Sequence, residues 1–91
     1  MADLQQLEDA YDRAEAAYVS ALRADLPRVD LARLAGAVAA AAAEFNAEAY
    51  SNLRTAAGDD REELDRLTDL TETLSELWSD VHSAYLGQQP S

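Results

Sequence analysis

The sequence predicts an all-α fold, an elongated antiparallel three-helix bundle with dimerisation as a source of further buried area. Three observations carry that expectation. Apolar residues recur at spacings of three and four along most of the 91 residues. Helix breakers occur in two short clusters, around Pro27 and Gly58. Between them lies an alanine-paved stretch, including Ala39 to Ala43 in unbroken sequence, and alanine is the strongest helix former.

The first helix is expected over 3–25. Asp3 with Gln6 three residues on has the form of a capping box, in which the carboxylate accepts from amides that the helix leaves unpaired. Leu4, Leu7, Tyr11, Ala14, Tyr18 and Ala21 form its stripe. Leu26-Pro27-Arg28-Val29 interrupts it, because proline disfavours helical geometry before it and has no amide to donate. Asp30 is the expected N-cap of the next helix.

That second helix, 30–57, has two apolar sides. Leu31, Leu34, Val38, Ala42, Phe45, Ala49 and Leu53 make one of large residues. Ala32, Gly36, Ala39, Ala43, Ala47 and Tyr50 make a second of mostly small ones, roughly 120° away. A middle rod with two such sides can touch two neighbours. The small side admits a backbone toward the near end of the usual ~8–10 Å separation.

Gly58 is expected to end this helix in the left-handed conformation, and Asp59 with Glu62 to cap the next. The tight turn favours a hairpin over two collinear helices. The third helix, 60–86, places Leu64, Leu67, Leu70, Leu74, Leu77, Trp78, Val81, Ala84 and Tyr85 on one face. Gly87 is the expected stop, with a disordered tail over 88–91. The whole reads as a single helical domain, 1–91.

Charge bounds the function. Seven arginines, no lysine and eighteen acidic residues leave a formal −11, which opposes direct binding to nucleic acid and would steer a basic protein toward the chain. Asp65, Asp69, Glu72, Glu76 and Asp80 line the outer face of the third helix. Like charges one turn apart cost a helix a few tenths of a kcal/mol, ~0.2–0.5 per pair. The stripe reads as a solvated face, or as a docking surface or phosphate-like array.

Catalytic constellations are missing from the string. There is no cysteine and one histidine, His82, preceded at three residues by Ser79 rather than glutamate. No glycine-rich phosphate loop occurs. No cofactor or metal is expected. The nine-residue run Ala35–Ala43 falls far short of the roughly 20 residues of a membrane span. No basic leader with an apolar core opens the chain, so cytoplasmic residence is expected, with signal-less export as the alternative. Short acidic helical proteins exported by actinobacterial type VII systems share the size and charge. They carry Trp-x-Gly in a central turn, whereas Trp78 here precedes Ser79 and Asp80 in the last helix, so the pattern is not met.

The expectation is a non-enzymatic, acidic, self-associating interaction module, an adapter, inhibitor or antitoxin-like accessory protein of a bacterium or bacteriophage. Its contacts with a protein partner of basic surface would come from the acidic stripe, from Leu77 and Trp78, and from Gly36 and Ala43 on the small-residue side. The alternatives are a nucleic-acid mimic that blocks a DNA- or RNA-binding protein, and a self-assembling structural subunit.

Overall fold

Helix α1 (Leu4–Arg23), α2 (Arg28–Thr55) and α3 (Asp59–Gly87) make up a computed structural model that describes residues 3–87. They form an all-α, antiparallel three-helix bundle, with principal extents of 50 × 22 × 21 Å. The tail expected to be disordered, 88–91, lies outside the described residues. Among the described residues no helix is long and apolar enough to cross a membrane.

The expected capping box is present. Gln6 N donates to Asp3 Oδ1 at 2.8 Å, and Asp3 N donates to Gln6 Oε1 at 3.2 Å. The other end of α1 departs from expectation. The helix stops at Arg23, because Asp25 takes a left-handed φ of 55°. Leu26 N then donates to Ala21 O at 3.1 Å and Asp25 N to Leu22 O at 3.3 Å, the two bonds of a Schellman motif. Left-handed geometry costs a residue with a Cβ about 1–2 kcal/mol, so the usual occupant is glycine. An aspartate there carries no sequence signal for a stop.

Asp30 is not the cap of α2. Pro27 is, its carbonyl accepting from Asp30 N at 2.9 Å and Leu31 N at 3.1 Å. Proline lacks the amide and is prearranged in φ, so α2 begins directly after it, and Asp30 falls in the first turn with its carboxylate 3.3 Å from Arg33. At the second break α2 ends at Thr55, two residues before the expected end, and Gly58 holds the left-handed conformation (φ 68°) expected of it. Asp59 opens α3 instead of capping it, and the helix includes Gly87, the last described residue.

The turn at Gly58 is a hairpin: Asn46 meets Thr71, and Gly36 meets His82, as antiparallel neighbours must. Helices α1 and α3 run parallel. Tyr11 meets Trp78 and Tyr18 meets Tyr85, both at a separation of 67 residues. Their backbones keep apart, with no Cα pair within 8 Å, so α2 is the middle rod and aromatic side chains bridge the outer two.

That offset sets Leu4, where α1 starts, level with Thr71 of α3. Among the described residues, 59–70 of α3 and the last turns of α2 therefore run on without a third helix beside them, for about 18 Å at 1.5 Å per residue.

The core is built from Leu7, Tyr11, Tyr18, Ala35, Val38, Ala42, Phe45 and Trp78. Val38, Ala42, Phe45 and Ala49 are buried, as the large-residue side of α2 requires. The small-residue side divides: Ala32 is buried, Gly36 and Ala39 are half-buried, and Ala43, Ala47 and Tyr50 are exposed.

Candidate interaction surface

Helix α3 is turned from its expected orientation by most of one residue's ~100° step. The expected face gathered the leucines with Trp78. The buried line instead passes through Thr68, Thr71 and Trp78, and Thr71 has no exposed surface at all. Thr71 Oγ1 lies 2.9 Å from Asn46 Oδ1 and 3.1 Å from Thr68 O, and Thr68 Oγ1 donates to Leu64 O at 2.7 Å. These bonds satisfy the hydroxyls inside the fold, and a buried hydroxyl without a partner would cost about 1–3 kcal/mol.

The leucines are left at the edge. Leu67, Leu70, Leu74, Leu77, Val81 and Ala84 follow one another at spacings of three, four, three, four and three. Leu67, Leu74 and Val81 are half-buried against the core, whereas Leu70 and Leu77 are 56% and 52% exposed and Ala84 is exposed. A 3-4-3-4 apolar line is the pattern by which helices pair through knobs and holes. The acidic stripe lies beside it on the next face of the helix. Asp65, Asp69, Glu72, Glu76 and Asp80 are all exposed, and none is paired with an arginine among the described residues.

Trp78, expected to contact a partner, is instead committed to the interior. Its Nε1 donates to Tyr11 Oη at 2.9 Å, and Tyr11 Oη donates onward to Glu15 Oε2 at 2.9 Å. Burial, then the bond to Glu15, raises the Tyr11 pKa, a shift that the indole donor opposes. Tyr18 stands edge-on to Trp78, with ring centroids 5.2 Å apart at 83°, and edge-on to Tyr85 at 6.3 Å and 75°. Such pairs add ~0.5–1.5 kcal/mol beyond the area they bury. The Tyr18 and Tyr85 hydroxyls share a 2.6 Å hydrogen bond. Burial first, and then that bond, raises the Tyr18 pKa to about 12. The Arg28 guanidinium sits 5.3 Å from the Tyr85 ring centroid, which closes this end of the α1–α3 seam.

Gly36 is also occupied within the chain. A Cβ there would stand 2.9 Å from His82 Nε2, so the imidazole lies directly over the glycine. Ala43 is exposed. Of the expected contact residues, then, the five carboxylates, Leu77 and Ala43 face outward, while Trp78 and Gly36 are covered. Leu70 is the outward residue that sequence reasoning placed in the core. Its heptad relation to Leu77 was the available signal.

Comparison of the chain with models of protein families, with curated proteins and with solved structures gave no match.

Proposed function

We propose that this chain is a non-enzymatic protein-interaction module that binds a protein partner through α3. One observation carries the reading. Threonines take the inside of α3 while leucines of heptad spacing stay at its edge. Exposed apolar side chains arranged in a line, rather than scattered singly, are a feature of interaction surfaces. The unpaired carboxylates beside the line favour a basic partner and speed the encounter, an effect that falls as salt rises.

The test begins with affinity capture and mass spectrometry, followed by binding measurements with the purified partner. Leu77→Glu should weaken binding by at least about 1.4 kcal/mol, a factor of ten. Neutralising Asp69, Glu72 and Glu76 to their amides should reduce the association rate and its salt dependence. A partner that binds every variant equally would remove the reading.

Self-assembly through the same line is the second reading, favoured by the coiled-coil spacing. The formal −11 per chain opposes it, and added salt would relieve that opposition. Sedimentation over a range of concentration and salt decides: a monomer throughout removes this second reading.

A further inference from the structure

The outer edge of α3 is arranged evenly about Thr73. Leu70 stands three residues before it and Leu77 four residues after, 56% and 52% exposed. Arg66 stands seven before and Asp80 seven after, and both are exposed. These positions share one edge of the rod: Arg66 lies about 40° round from Leu70, and Asp80 about 60° round from Leu77 to the same side. The remaining carboxylates of the stripe, Asp65, Asp69, Glu72 and Glu76, lie about 80–160° from the two leucines and face water. Arg66 is the one arginine of α3 beyond its first turn, and among the described residues it makes no ion pair.

That spacing suits one occupant, a second copy running the other way. A two-fold axis beside Thr73 brings residues equally far from it, on opposite sides, to the same level. Arg66 then meets Asp80 of the second copy, and Asp80 meets its Arg66. Leu70 comes within one residue's rise, about 1.5 Å, of the level of Leu77 in the second copy. The opposite charges thus pair twice, once at each end of the leucine contact. A parallel copy would set arginine against arginine and aspartate against aspartate. An unrelated cationic helix would suit the carboxylates but would meet Arg66 with like charge.

We infer that Leu70 and Leu77 form the centre of an antiparallel homodimer of this chain, in which Arg66 and Asp80 pair across the two-fold axis and set the register. The inference rests on the self-assembly reading above and gives it a direction and a charge pair. The formal −11 of each chain opposes the encounter, so the dimer should tighten as salt rises to about 0.15 M and screens the long-range repulsion.

Sedimentation of the full chain at that salt reads the dimer constant. Arg66→Glu and Asp80→Arg should each weaken it roughly tenfold, and the two together should restore it to within about threefold. Asp80→Arg is the sharper arm. It reduces the formal charge to −9, which by itself favours association, yet it sets Arg66 against a second arginine. The double variant keeps −11. All are surface substitutions, whose folding circular dichroism verifies. The chain has no cysteine, so Thr73→Cys places a lone thiol beside the axis. A short bis-maleimide should join two chains there. It should leave Glu62→Cys unjoined, because antiparallel copies hold that position about 33 Å apart. A dimer that Leu77→Glu dissociates, but that is indifferent to the charge exchange, overturns the register and leaves self-assembly standing. Joining at Glu62→Cys as readily as at Thr73→Cys means a parallel pair and overturns it as well. A chain that is monomeric at every concentration and salt removes this inference and the self-assembly reading together.

Discussion

Replacing Tyr11 with phenylalanine tests what joins α1 to α3. The ring stays and one oxygen leaves. That oxygen receives the Trp78 indole proton at 2.9 Å, in a bond buried within the fold. Glu15, the group to which Tyr11 donates, is half-buried and can turn to water, so its loss is small. The indole N–H cannot do so. A buried donor left without a partner costs about 1–3 kcal/mol, so Tyr11→Phe should destabilise the chain by ~2 kcal/mol. For a domain of this size that lowers the melting temperature by roughly 8–16 °C, at about 4–8 °C per kcal/mol. Urea unfolding followed by circular dichroism and by Trp78 emission gives the free energy. The cost should largely vanish in a Trp78→Phe background, where no indole remains to be stranded. Tyr50→Phe, at a position 50% exposed, is the control and should be near neutral. A loss under about 0.5 kcal/mol, or an equal loss with and without the indole, would refute the assignment of this bond as the clasp.

Three further outcomes follow from the geometry. Asp25→Gly should stabilise the chain by ~0.5–1 kcal/mol, because it relieves a left-handed φ of 55° at a Schellman position; calorimetry showing destabilisation would contradict the cap. Gly36→Ala should be close to neutral in the wild-type chain, since the new methyl meets His82 at 2.9 Å. In a His82→Ala background it should gain about 1 kcal/mol of helix propensity, and equal effects in both would deny the contact. The folded-state pKa of Tyr18 is raised from 10.0 to about 12, so folding favours its protonated form. The stability linked to that proton is fully present below pH 10 and is lost as pH rises toward 12. Tyr18→Phe should flatten that part of the stability–pH curve, and an unchanged slope would show that Tyr18 is not its source.

The number of helices and the two breaks were legible because each has a local cause. Proline at 27 and glycine at 58 act within a residue or two of themselves, as does the Asp3–Gln6 box. The end of α1 was not legible, since the left-handed residue is an aspartate, whose presence in a polar turn distinguishes nothing. Nor was Asp30 distinguishable from a cap before the proline carbonyl was seen to take the role. The rotation of α3 was hidden for a different reason. It goes with contacts made far along the chain, Thr71 with Asn46 and Trp78 with Tyr11, and periodicity weighs only the side chains of one helix. Five carboxylates of the proposed surface and Leu77 were visible from spacing alone. Leu70 was not, because it shares with Leu77 the outward edge that the turn of α3 exposes.

The Thr71–Asn46 pair has a consequence for the identity of the fold itself. Helix α3 carries two seams of heptad spacing side by side, one through Leu64, Thr68, Thr71, Ser75 and Trp78, the other all aliphatic from Leu67 to Ala84. Greasiness alone would roll the rod until the aliphatic seam lay inward. Trp78 clasped by Tyr11 and Tyr18, and Thr71 bonded to Asn46, lie on the other seam and share the inside with it.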